Sequence, residues 1–312
     1  MKRAMPNTSM NMTKNTNSGK VNSGLSLEQI KRVAVTAMFA DDELFDNLVL
    51  KGGNALNLIH QLGSRASLDL DFSMQHDFPE SQEEFCQRVC LALNKTFIQN
   101  GYAVFDVKME IKPKAITLDM ADFWGGYAVE FKLIPLALYE VHKADIVKLR
   151  KQAVSIGQGK KFLIDVSRFE YTVGKQEAYL DGYRIYVYSP QMIVCEKLRA
   201  ICQQMPEYGP VIKRARPGSA RARDFLDIHV LMTKLCIDLE LEENLRILSG
   251  MFQVKRVPIS FLGKIAEFRE FHRADFPSVL ATVDAASKLE EFDYYFDFVL
   301  EQVAKLKPLW NV

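Results

Sequence analysis

KGGNALNLIHQLGSRASLDLDFS (residues 51–73) joins two glycines, a helix-like run and a strand-like run that holds two aspartates one residue apart. LVLKGG (48–53) reads as a short buried strand stopped by glycines, NALNLIHQL (54–62) as a short helix, and SLDLDFS (67–73) as a second strand. Alternate residues of a strand share a face, so Ser67, Asp69 and Asp71 point one way and Leu68, Leu70 and Phe72 the other. The apolar face can bury. On the acidic face two carboxylates about 5 Å apart repel by roughly 3 kcal/mol at an effective dielectric of about 20. Either the face is well solvated, as on an edge strand, or a cation sits between the acids.

The glycines bear on that choice. Gly52 and Gly53 stand between strand and helix, where backbone can approach a ligand closely and a helix N-terminus offers free N–H groups to phosphate. A Gly-Gly turn followed by a returning D-x-D strand suits a metal-bound triphosphate. Lys51, Gly52, Gly53 and Ser67 are candidate phosphate-binding residues, and Asp69 and Asp71 candidate Mg²⁺ ligands. A third carboxylate is expected from a later strand. Asp165 in KFLIDVSRFEY is preferred, since it precedes a turn-like Asp-Val-Ser-Arg break, and Glu130 in YAVEFKLI is the alternative.

Around this unit, SLEQIKRVAVTAMF (26–39) has helical spacing with Ser26 as N-cap, and residues 79–100 form another helix. Strands dominate from 102 to 188, in YAVFDVKMEI, GYAVEFKLI, KFLIDVSRFEYTV and YRIYVY. Ser189-Pro190 then suits an N-cap and first helical position, and helices follow nearly to the end. The expected architecture is α/β (α+β): a polar, disordered leader (1–24), an α/β domain (25–188) and a helical C-terminal domain (189–312). The aromatic tail EEFDYYFDFVL (290–300) reads as a core helix rather than a base-stacking surface.

Composition narrows the function classes. Hydrophobic residues make up 48% and charged residues 25%, an ordinary globular profile. A net charge of +1 gives no global attraction to nucleic acid, so any such partner must act through local patches. Five scattered cysteines suit reduced thiols and a cytoplasmic setting, and the five histidines form no ligand cluster. No run of about 18 apolar residues suggests a membrane span.

In SPQMIVCEKLRAICQQM, Lys197 has Ile193, Val194 and Ile201 as helical neighbours, so it either snorkels from a core edge or reaches a site. In RARDFLDIHVL, Asp224 and Asp227 share a helix face, and Arg223 can pair with Asp227. Residues 208–223 carry Lys213, Arg214, Arg216, Arg221 and Arg223 with no acid, and residues 143–161 carry six cations against Asp145. Arg214, Arg216 and Arg221 are candidate RNA contacts, solvated loops being the alternative.

K-G-G-x-x-L (51–56), R-x-S-x-D-L-D-F (65–72), E-K-L-R-A (196–200) and R-x-R-D-F-x-D-I (221–228), in this order, resemble the AbiEii/AbiGii toxin family of nucleotidyltransferases, which includes MenT-type toxins. The resemblance runs from about 27 to about 235, and the stretch from about 240 to 312 matches no motif. It implies a DNA polymerase β-like nucleotidyltransferase domain followed by a helical domain, and a toxin–antitoxin or abortive-infection role with an antitoxin or regulator encoded nearby. Transferred by motif, Gly52 and Gly53 match the phosphate loop, Asp69 and Asp71 the metal pair, and Lys197 the lysine that contacts nucleotide phosphates. Asp224 matches an aspartate proposed as a catalytic base or orienting group, with Asp227 in support. MenT-type members are similar to enzymes that extend the tRNA 3′ end, and others bind GTP. The nucleotide (GTP or CTP/UTP) and the acceptor stay open. A phosphotransferase and a non-catalytic nucleotide-binding module are the alternatives.

Overall fold

The computed structural model describes residues 24–62, 69–155, 159–282 and 288–310. Most of the expected leader and Ser67 lie outside the described residues. The strands are β1 (Val49–Lys51), β2 (Leu70–Ser73), β3 (Tyr102–Lys112), β4 (Gly126–Pro135), β5 (Phe162–Ser167), β6 (Gln176–Leu180) and β7 (Tyr183–Val187). They form one mixed sheet in the order β3-β4-β5-β2-β1-β7-β6. β2 is therefore central, antiparallel to β1 and parallel to β5. A wet edge strand is excluded as the reason for its acids.

Helices α1 (Leu27–Phe39), α2 (Asp42–Asn47), α3 (Gly52–Leu58) and α4 (Gln82–Gln99) precede β3. Ser26 and Gln29 close a capping box on α1, whose Ile30, Ala34, Val35 and Met38 are buried. α4 begins later than its sequence suggests, because Ser81 and Glu84 form a second capping box that satisfies its first N–H groups.

Two short helices, α5 (Leu136–His142) and α6 (Ile146–Gln152), interrupt the region in which strands are expected to dominate. The Asp145 carboxylate caps α6, accepting from the N–H groups of Val147 and Lys148 at 3.1 Å. The run before β7 adds a strand that strand spacing alone did not separate. Asp181 and Gly182 both adopt positive φ, 50° and 85°, which closes the β6–β7 hairpin.

After β7 every described element is helical. α7 (Pro190–Cys202) is capped by Ser189, whose Oγ accepts from the N–H of Met192 at 3.3 Å. α8 (Ala222–Leu235), α9 (Glu242–Val254), α10 (Arg269–Arg273), α11 (Phe276–Leu280) and α12 (Phe292–Lys305) follow. Phe292, Tyr295, Phe296, Val299 and Val303 of α12 are buried, so the aromatic tail is core. One hydrophobic core runs from Ile30 through Phe72 and Leu198 to Leu306, uniting sheet and helices. All five cysteines are unbonded. No described helix is long and apolar enough to cross a membrane.

Candidate active site

Register builds the site. Lys51 of β1 stands opposite Asp71 of β2, and Asp71 opposite Asp165 of β5. Registered neighbours share a face, so a lysine and two aspartates form a row across three central strands. All three line a cavity of about 590 Å³, together with Ser167 two residues further along β5. Asp69 is exposed just before β2, and the Asn54 side-chain amide donates to its backbone carbonyl. That bond ties the first turn of α3 to the D-x-D strand.

Gly52 is required at its position. Its φ is +67°, and a Cβ there would lie 2.6 Å from Asp71 Oδ2. Gly52 and Gly53 open α3, whose N-cap, Lys51, makes no side-chain capping bond. Gly52 backs the Asp71 carboxylate, and neither glycine is among the residues that line the cavity.

Burial pushes the Asp71 carboxyl up to about 6, against the pull of Lys51, and Glu196, Asp165 and Asp69 add to the rise. Burial and then Asp165 also raise Asp69. Lys112 Nζ donates to Asp165 Oδ1 at 2.9 Å, so an ammonium already rests on this acidic row. Among the described residues no three His, Cys, Asp or Glu side chains are gathered at metal-binding range. The donor set still fits a divalent cation: hard carboxylate oxygens on adjacent strands, mutually repelling, at a cavity wall.

Beside the acids the cavity lining is rich in charge. Lys51, Glu170, Glu196, Arg199, Arg221 and Lys255 all line it. Glu170 Oε2 accepts from Arg199 at 2.9 Å, while Lys255 Nζ and Lys51 Nζ lie 3.3 and 3.7 Å from its Oε1. Glu196 Oε1 lies 3.2 Å from Lys51 Nζ and 3.5 Å from Arg199 Nη2. Three cations thus share two carboxylates. Burial would raise Glu170, but Arg199, Lys255 and Lys51 hold it well below the usual carboxylate range. Burial brings Lys255 down to about 8, with Glu170 opposing. Its ammonium also donates to the carbonyls of Arg168 (2.6 Å) and Phe123 (3.3 Å), bridging helical and strand segments.

Lys197 and its partners stand behind this wall. Lys197 Nζ donates to Asp224 Oδ1 at 2.9 Å and Asp227 Oδ2 at 2.7 Å, and all three side chains are buried. Asp224 also accepts from Arg221 Nε. Burial would raise the Asp224 carboxyl, yet Arg221 and Lys197 hold it well below its ordinary range. Arg223 also has a partner. Glu130 stands opposite Leu163, two residues along β5 from Asp165, does not line the cavity, and pairs with Lys161 at 2.6 Å.

The three candidate RNA arginines are not brought onto one face. Arg214 donates to the carbonyls of Gln203, Gln204 and Met205 (2.8–3.2 Å), closing the end of α7, while Arg216 is exposed and Arg221 lines the cavity. In the 143–161 stretch, Lys143, Lys148, Arg150 and Lys161 pair with Glu140, Asp145, Asp106 and Glu130.

Glu170, Lys112 and Lys255 were not singled out from sequence, and Glu196 and Arg199, though letters of the E-K-L-R-A motif, were given no role. For Glu196, Arg199 and Gln203 a signal was present, since their helical spacing puts them on one face of α7. Lys255 belongs to a stretch with no motif.

The chain matches, over residues 34–298, the family described as nucleotidyl transferase AbiEii toxin of type IV toxin–antitoxin systems. Among curated proteins none matches. Similar solved structures include an H. pylori protein assigned as a nucleotidyltransferase, at 16% identity and TM-score 0.46, covering 91% of this chain and 95% of that one. JHP933 from Helicobacter pylori has 19% identity and TM-score 0.44, with 91% and 94% covered. An antigenic nucleotidyltransferase-like protein from Paracoccidioides brasiliensis has 13% identity and TM-score 0.33, with 74% and 92% covered.

Proposed function

Because this chain belongs to the AbiEii nucleotidyl transferase toxins of type IV toxin–antitoxin systems, we propose that it transfers a nucleoside monophosphate from a Mg²⁺-bound nucleoside triphosphate to an acceptor hydroxyl. The observation that carries this reading is that Asp71 and Asp165, side by side on adjacent strands, line one cavity with Lys51, Arg199, Arg221 and Lys255. A cavity of about 590 Å³ lies within the range of small-molecule sites. Toxin–antitoxin membership implies an antitoxin as partner.

Asp71 and Asp165, with Asp69 beside them, would hold the metal, which supplies charge neutralisation and polarises the α-phosphorus. Lys51, Arg199 and Lys255 set a positive potential that draws the polyphosphate inward, and Gly52 leaves room for the Asp71 carboxylate. The acceptor oxygen forms a bond to the α-phosphorus as the bond to pyrophosphate breaks. Catalysis of this kind is mostly positioning and electrostatics, which suits a site whose charged groups are nearly all held by partners.

The test incubates purified protein with total RNA and cell lysate, Mg²⁺, and each nucleoside triphosphate labelled at the α or γ position. Label from the α position alone, joined to an acceptor, is the expected result, and the tRNA 3′ end is the first acceptor to examine. Transfer of γ-label identifies a phosphotransferase. Binding without turnover identifies a nucleotide-binding module.

A further inference from the structure

Arg221 precedes α8, and both its backbone and its side chain are anchored. Its N–H donates to His272 Nδ1 at 3.0 Å, and its Nε donates to Asp224. Its terminal nitrogens have no hydrogen-bond partner among the described residues, its side chain is 37% exposed, and it lines the cavity. Asp224 is held from its other oxygen by Lys197, and Lys197 by Asp227. The four residues form a chain, and the cavity wall includes its last member, Arg221, but none of the other three.

We propose that Arg221 is the anion-gripping residue of this site, and that Asp224, Lys197 and Asp227 are positioning residues that aim its guanidinium at the phosphates. The inference rests on the nucleotide reading above and deepens it, for it names which group of the α7–α8 pair touches substrate. Three observations favour it. An arginine held through Nε keeps its terminal nitrogens for a fork-like contact to phosphate oxygens. Lys197 has spent its ammonium on two carboxylates, at 2.9 and 2.7 Å. Asp224, ionised and held by two cations, is a poor proton acceptor.

The full-length protein is titrated calorimetrically with inorganic tripolyphosphate and Mg²⁺, a probe with no base to recognise. Arg221→Ala should weaken binding at least 10-fold and also lower the melting temperature, because buried Asp224 loses one of its two cations, whereas Arg221→Lys, which keeps the charge, should hold the fold and recover only part of the binding. Asp224→Asn should weaken binding comparably, and the double variant should bind like Arg221→Ala alone, because both changes remove one contact. In turnover, Asp224→Asn should raise KM for the nucleotide and leave the shape of the pH–rate profile unchanged.

No binding by the parent protein overturns the nucleotide reading and this inference with it. Parent binding that Arg221→Ala leaves untouched overturns this inference alone. So does an additive double variant, or an acid limb of the pH–rate profile that Asp224→Asn removes. If Asp224→Asn fails to fold, the two Arg221 variants, changed at a partly exposed side chain, still decide.

Discussion

Glu170→Gln isolates the logic of the cationic wall. The substitution keeps the shape of a side chain that is 6% exposed and removes one of the two negative charges shared by Lys51, Arg199 and Lys255. Leaving buried charges without their partner costs about 3–5 kcal/mol. At about 2–4 °C per kcal/mol for a chain of this size, the melting temperature should fall by roughly 10 °C. The Glu170 carboxyl is held below its ordinary value of 4.5, so its stabilisation is complete above that pH and fades as pH falls below it. The gap between variant and parent should therefore narrow as pH falls below about 4.5.

The same variant should bind tripolyphosphate more tightly, because Glu196 alone then balances the three cations. At a hundredfold excess over Kd, binding restores about 2.7 kcal/mol, most of the loss. Melting curves with and without tripolyphosphate, in metal-free buffer, check both halves. A variant that melts with the parent, or that tripolyphosphate stabilises no more than the parent, refutes the reasoning.

Asp71→Asn should abolish transfer while leaving the metal-free protein at least as stable as the parent, because it removes a carboxylate that burial and its acidic neighbours raise; a lower urea midpoint would mark Asp71 as structural. His272 is buried with its pKa pushed down to about 4 from 6.5, so stability should be full above about 6.5 and fall by up to about 3 kcal/mol as pH drops toward 4. His272→Gln should flatten that slope in urea titrations across the window, and an unchanged slope would assign the loss to other groups. Arg214→Ala should cost about 1–3 kcal/mol by stranding the carbonyls at the end of α7; a fully stable variant with weakened RNA binding would make Arg214 a surface contact instead.

The legible part of this protein was local. Period-two spacing put Asp69 and Asp71 on one face, and the glycine pair marked where backbone must come close, which the 2.6 Å approach to Asp71 explains. Alternation in the Asp165 strand gave its face but not its neighbour, since register between β2 and β5 is set by folding, not by spacing. The cationic wall was illegible for the same reason. Lys51 meets Glu170 and Glu196 more than a hundred residues away, and a lone charge in sequence says nothing of such a partner. Asp181-Gly182 did carry a hairpin signal, but the mostly polar, exposed QEAYL before it shows no apolar alternation to mark a strand. α5 and α6 are too short for a helical period to stand out.

Lys255 gives the cavity a place in time as well as in space. Lys51, the glycines and Asp71 leave the ribosome early and Asp165 later, but the cation that joins Glu170 to the carbonyls of Phe123 and Arg168 comes only at position 255. A nascent chain that has reached Arg199 but not position 255 carries Asp71, Asp165, Lys51 and Arg199 and lacks the third cation. For a member of a toxin family, the order of the polypeptide thus delays completion of the site until most of the molecule has been synthesised.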